Sequence, residues 1–372
     1  MYARLLCLAL LAALTARAVE TPIEIEDILL LYRTPGGLKD AMPLLVDHTS
    51  RNPDDWVALQ YLAGGYQLAA RKLASANLPE NDAWKMVVAA FSKSESARLR
   101  AKGESDLKAF LMPRTTILRH AGDALLRLGR EEEARAVYAR GVEESVWTNP
   151  LCRPEKLFET DTALGYFFEL DEVLINGAAE QLKNAIASLD DNILNQTEYW
   201  RIESSGLHTT NSWSQLPLVV NNRRSKVCNS FPDACEPFMD PTWLNAAVGQ
   251  VKLSKMIQGT HVRPHAGPTM ERLRVHCLVS GASPSSSTFI RVGDERRTWQ
   301  KGKCFAFDES CEHEVHIGAV EGGERIVLIA DVPNPFLSWE DFVGATADGD
   351  STIVRSGWEE LRSKRSAKTE EL

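Results

Sequence analysis

From Val251 onward the chain is written in short apolar runs: VKLSKMI, RLRVHCLVS, STFIRVG, GKCFAFD, HEVHIGAV and ERIVLIADV. They are rich in Val, Ile and Phe and are separated by Gly, Ser, Pro or Asp, with no helix-length pattern between them. Strands joined by short turns pair antiparallel, because a parallel neighbour needs a long crossover. This region is therefore expected to form an antiparallel sandwich or barrel, and a double-stranded β-helix of the cupin or jelly-roll kind fits.

The first third follows another period. Over 22–146 apolar residues recur at spacings of three and four: Trp56, Leu59 and Leu62, then Leu118, Ala121, Leu125 and Leu128. Leu128-Gly129 closes one helix, Glu131 to Glu133 suit the first turn of the next, and Ala134, Val137 and Tyr138 form its apolar face. Small Ala121 and Ala134 allow two helices to approach closely, as in a tetratricopeptide hairpin. Such an array offers a concave binding face or serves as plain helical packing. The expected chain is α+β: an all-α helical-repeat domain at 22–146, a β-rich domain at 147–345 opened by Trp147-Thr-Asn-Pro150, and a charged, disordered tail at 346–372.

A net charge of -9 excludes general nucleic-acid binding, since no basic stripe offsets phosphate repulsion. MYARLLCLALLAALTARAVE has an early Arg4, a brief apolar run and a small-x-small exit, the pattern of a secretory signal peptide over 1–18. The run is too short to span a bilayer well, so no membrane span is expected after its removal. Localisation in the secretory pathway follows, in the ER lumen or outside the cell. The terminal Glu-Glu-Leu weakly resembles a retention signal but lacks the usual basic residue. In that compartment Cys228 and Cys235, around NSFPDA, read as a disulfide; a zinc pair would lack its second half. Cys277 and Cys304 sit in apolar runs and read as buried thiols.

The chemistry lies in the strands. Alternation along RLRVHCLV puts Arg272, Arg274 and His276 on one face and Leu273, Val275 and Cys277 on the other. Cations facing the inside of a small barrel need an anion, or each costs several kcal/mol. Arg325 opens the apolar face of ERIVLIADV, and a planar guanidinium suits a bidentate grip on a carboxylate. Two separated cationic points suit a molecule with a carboxylate at each end. His265 in PHAG and His313 in EHEV are candidate metal ligands. The carboxylate that usually follows the first histidine by two residues is absent, because that position is Gly267. On spacing alone, such a pair is more often structural than ligating.

GTHVRPHAGPT, LRVH, TWQKGK, FAFDES-CEHEV and RIVLIADVPNP, in this order, resemble the aspartyl/asparaginyl β-hydroxylase family over roughly 147–335. Trp213-Ser-Gln215, Arg223-Arg224 and the Cys228/Cys235 spacing are similar to its pattern as well. The resemblance implies a 2-oxoglutarate- and Fe(II)-dependent oxygenase that uses O2 and hydroxylates the β-carbon of Asp or Asn in a secreted or luminal polypeptide, such as an EGF-like domain. It implies His265 and His313 as iron ligands without a third acid. Ser254 and Arg325 would hold the distal carboxylate of 2-oxoglutarate, and Arg274 and His276 the end near the metal. Gln215 and Arg272 would meet the substrate's acidic side chain. Three departures, Glu309 for an aspartate, Arg263 for a tryptophan and a longer connection between His313 and Arg325, leave the substrate open. His261 is expected to shape the loop, His316 to be exposed, and Glu309 to accept hydrogen bonds rather than ligate. The alternatives are an oxygenase for another protein or a small molecule, a halogenase with halide in the vacant position, and a non-catalytic luminal scaffold.

Overall fold

The computed structural model describes residues 24–76, 78–101, 113–160, 165–175, 177–189, 191–203, 206–208, 212–239, 246–282 and 286–370. The signal peptide expected at 1–18 lies outside the described residues. The chain divides into two compact units, the first ending at Pro150 apart from 204–206.

The first unit is helical: α1 (Ile25–Arg33), α2 (Leu38–Arg51), α3 (Trp56–Ser75), α4 (Asn81–Arg100), α5 (Arg114–Arg127) and α6 (Glu131–Glu143). Trp56, Trp84, Leu45 and Phe91 lie in its core, so apolar packing holds the array together. The α5–α6 turn forms as its residues dictate. Gly129 takes φ +71°, and Arg130 N–H returns to the Leu125 carbonyl at 2.9 Å. α5 and α6 approach closely at Gly122, where an added Cβ would stand 2.1 Å from the Tyr138 ring. Tyr138 then donates to Asp123 Oδ1 at 2.8 Å.

The second unit carries the strands β1 (Phe167–Phe168), β2 (Arg201–Ile202), β3 (Trp213–Val220), β4 (Arg223–Arg224), β5 (Gln250–Ile257), β6 (His261–His265), β7 (Arg272–Ser280), β8 (Phe289–Val292), β9 (Glu295–Arg297), β10 (Cys304–Phe307), β11 (His313–His316) and β12 (Glu324–Pro333). Their pairings are antiparallel. The larger sheet has the order β1-β10-β7-β12-β5-β3-β2, with β4 on β3; the smaller is β6-β11-β8-β9. Leu273, Val275, Leu328 and Ala330 belong to one core with Leu182 and Ala185 of α7 (Ala178–Ser188). Phe305, Phe307, Val327 and Ile329 belong to another with Val262, Ile290 and Val315 of the smaller sheet. Period-two alternation thus sends one set of side chains to the helices and the other to the facing sheet.

Two expectations are corrected here. The tail is not wholly disordered: residues 352–370 are helical, and Val354 and Leu361 are buried in the helix-side core with Trp358 packed against it. These three residues recur at helical spacing, a stripe hidden by the surrounding charge. Cys277 and Cys304 are not free thiols. They stand opposite each other on β7 and β10 and are disulfide-bonded. Cys152 is bonded to Cys311, and Cys228 to Cys235 as expected.

Candidate functional site

His265 ends β6 and His313 begins β11, and the register places them directly opposite each other. Their ring centroids are 4.1 Å apart. His265 Nδ1 lies 2.8 Å from the Arg263 carbonyl, and His313 Nδ1 lies 2.9 Å from the Cys311 carbonyl. A carbonyl only accepts, so each Nδ1 carries the proton and each Nε2 keeps its lone pair. Burial pushes the His313 imidazole down to about 4, which holds it neutral. Two imidazoles that both turn Nδ1 to a carbonyl, leaving Nε2 as the available ligand atom, are suited to a divalent transition metal.

Among the described residues no third histidine, cysteine or carboxylate clusters with this pair. At Gly267, where a third acid would be sought, an added Cβ would lie 2.9 Å from both the Glu309 side chain and its backbone oxygen. Gly267 N–H donates to that oxygen at 2.6 Å. The space a side chain would need is taken.

Aromatic rings lead inward from the histidines. Phe307 lies 5.4 Å from His313 and 5.0 Å from His276. Trp299 lies 6.1 Å from His276, and the Arg325 guanidinium stands 4.2 Å over the Trp299 ring. Arg325 is only 1% exposed. Among the described residues its Nε and Nη1 lack hydrogen-bond partners, as do both nitrogens of His276 and Nε1 of Trp299. Burial without a neighbouring acid lowers Arg325 to about 9. Burial, reinforced by Arg325, holds His276 well below its ordinary value and therefore neutral. Ser254 is fully buried and accepts from Trp213 Nε1 at 3.0 Å. Trp213 and Arg325 both pair with Met256, two residues beyond Ser254, so Ser254 and Arg325 share the face toward the smaller sheet.

The remaining cations on that face are paired. Arg274 donates to Asp331 Oδ1 at 2.8 Å and reaches Glu309 Oε2 at 2.5 Å. Arg272 donates to Glu309 Oε1 at 2.7 Å and to the Val248 carbonyl. Lys252 donates to Gln215 Oε1 at 2.9 Å and lies 3.7 Å from Glu203. Arg274 and Arg272 therefore already have carboxylate partners, whereas Arg325 and His276 do not. Glu309 stands between two guanidiniums, an acceptor as expected. Cys228–Cys235 belongs to the helix-side core and takes no part in this face. Trp299, Lys252, Glu203 and Asp331 escaped the sequence reading. Only Asp331 left a signal, being in phase with Arg325 along β12.

The second unit thus sets a histidine pair and a buried guanidinium without a carboxylate partner among the described residues on the inner side of its antiparallel sheets. Residues 180–335 match the sequence profile of the family described as aspartyl/asparaginyl beta-hydroxylase. Human aspartyl/asparaginyl beta-hydroxylase is 33% identical over 230 residues, covering 59% of this chain and 29% of that protein. The mouse protein of the same name is 33% identical over 235 residues, 59% of this chain and 30% of its own. The ornithine lipid ester-linked acyl 2-hydroxylase of Rhizobium tropici is 34% identical over 87 residues, 23% of this chain and 30% of its own. The chain spans under a third of the length of these relatives.

Proposed function

We propose that the second unit is a 2-oxoglutarate- and Fe(II)-dependent oxygenase that hydroxylates the β-carbon of Asp or Asn in luminal or secreted polypeptides. The observation that carries this reading is Arg325: a buried cation, without a carboxylate partner among the described residues, on the same inner face as a metal-ready histidine pair. His265 and His313 would hold the iron through Nε2. Arg325 would take the distal carboxylate of the keto acid, with the Ser254 hydroxyl on the same face. His276 would donate to the end near the metal. When bound, iron and 2-oxoglutarate supply the oxidising chemistry with O2. The chain's own work is to neutralise the dicarboxylate, orient it and exclude water. The apolar walls of Phe305, Phe307 and Ile329 serve that exclusion. Arg272 and Gln215 would meet the substrate side chain once Glu309 and Lys252 give way.

The paired antiparallel sheets support a double-stranded β-helix. The α5–α6 hairpin supports a tetratricopeptide-like array that presents the polypeptide. The three disulfides support an oxidising compartment, the ER lumen or beyond. A second reading, with a non-protein substrate, draws support from the name of the Rhizobium tropici relative. Incubation with Fe(II), 2-oxoglutarate and an EGF-like domain tests both. Succinate together with a substrate heavier by one oxygen atom is the expected result. Absence of both products counts against the polypeptide reading, and succinate formed only with a lipid substrate selects the second.

A further inference from the structure

The smaller sheet carries histidines on both faces, and a one-residue slip makes this possible. Along an unbroken strand His261 and His265 would share a face. The pairing of β6 with β11 shifts between His313 and Val315: His313 faces His265, whereas Val315 faces Val262 and His316 faces His261. The extra residue on β6 is a bulge, and it reverses the facing of the residues beyond it. Val262 and Val315 are buried against the core, while His261 and His316 lie with Glu314 on the outer face, their side chains 45%, 36% and 14% exposed.

We infer that His261, Glu314 and His316 form a divalent transition-metal site, separate from the inner histidine pair and placed on the opposite face of the same two strands. Their donor atoms all lie within 4.8 Å of one another. His261 Nε2 stands 3.1 Å and His316 Nε2 3.2 Å from the same Glu314 Oε2. Zinc–ligand bonds of about 2.0–2.2 Å in a tetrahedron put neighbouring ligand atoms roughly 3.4 Å apart, so the three need move little to share an ion. The two imidazoles stack at 3.9 Å, and Phe289 stacks on His316 at 4.7 Å, which restricts both rings. The other carboxylate oxygen of Glu314 accepts from Arg291 Nε at 2.6 Å, the outer contact that orients a ligating carboxylate. Two imidazoles and a carboxylate favour zinc, cobalt, nickel or iron over calcium or magnesium. The partial exposure leaves the ion exchangeable. A bound ion would clamp β6 to β11 across their irregular register.

The test uses the purified full chain stripped of metal, titrated with Zn2+ and with Co2+. Bound ions are counted by native mass spectrometry, and melting temperature is followed alongside. His316→Asn and His261→Asn, both at partly exposed positions, are each expected to bind one equivalent fewer than the parent. They should also lose the share of the zinc-induced rise in melting temperature that His313→Asn retains. Circular dichroism matching the parent's shows that the fold survives. A folded His316→Asn or His261→Asn variant with an unchanged metal count overturns the inference, and so does a zinc-induced rise in them as large as the parent's. A loss of one equivalent supports it whatever the inner pair binds, which separates this result from the oxygenase reading.

Discussion

Replacing Arg325 with methionine should make the protein more stable and deaf to 2-oxoglutarate. The guanidinium is buried, is lowered to about 9 by that burial, and has no acid beside it among the described residues. At 1.36 kcal/mol per pH unit, keeping it charged in the fold costs about 5 kcal/mol. The sign is that of a base lowered by folding. The cost is complete below pH 9 and is relieved as pH rises above 9 toward the ordinary arginine range, because the unfolded chain then binds the proton and the folded chain does not. Methionine fills a comparable volume without the charge. Its own loss of the contact with Trp299 brings the expected gain to roughly 1–4 kcal/mol, the range seen when buried ionic groups become apolar. For a unit of this size that is roughly 2–4 °C in melting temperature per kcal/mol.

The assay is thermal unfolding near neutral pH with Mn2+ as a redox-inert metal, with and without 2-oxoglutarate. In the parent, keto acid at a hundred times its dissociation constant should add about 2.7 kcal/mol. In Arg325→Met that increment should vanish while the ligand-free melting temperature rises. Arg325→Lys should keep the charge penalty yet bind the keto acid more weakly, because an ammonium cannot form the two-pronged contact. A methionine variant that melts below the parent, or one that keeps the keto-acid increment, refutes the reasoning.

Gly267→Asp should not rebuild a three-ligand site. Its Cβ would meet Glu309 at 2.9 Å, so a loss of roughly 1–3 kcal/mol in urea unfolding is expected, with metal affinity no better than the parent's. Asp308→Asn should stabilise the protein in a pH-dependent way. Burial raises this carboxyl from 3.8 to about 6, so its charge costs about 3 kcal/mol above pH 6 and nothing below pH 4, where it is protonated in both states. Asparagine keeps the acceptor for Ser310 N–H at 2.8 Å, and its advantage in urea unfolding should shrink to zero between pH 7 and pH 4. Cys277→Ser with Cys304→Ser opens a link across 27 residues and should cost about 3–4 kcal/mol by chain entropy; an unchanged urea midpoint would mean the link is dispensable.

The sequence is most readable where a local rule decides the outcome. Alternation alone groups Arg272, Arg274 and His276 against Leu273, Val275 and Cys277, because a strand leaves no other choice. Gly129 ends a helix for an equally local reason. What stayed hidden depends on register between segments distant in the chain. Cys277 meets Cys304 only once β7 and β10 are aligned. His261 separates from His265 only because β6 slips against β11, and no residue type announces that slip. The helix at 352–370 was missed because three apolar residues are diluted among charges.

The same limit governs the cations. Local reading treats Arg272, Arg274 and Arg325 alike, as inward charges awaiting an anion. Three-dimensional pairing separates them. Glu309 and Asp331 answer Arg272 and Arg274, and Glu203 lies by Lys252. Among the described residues on this face, four cations thus meet three acids, and the charge left over is Arg325. A buried network balanced everywhere but at one guanidinium needs one further carboxylate at that point, because a lone charge in an apolar wall is stable only when an anion answers it. The place proposed for the keto acid's distal carboxylate therefore follows from which cation the chain leaves without an acid, not from how many cations it carries.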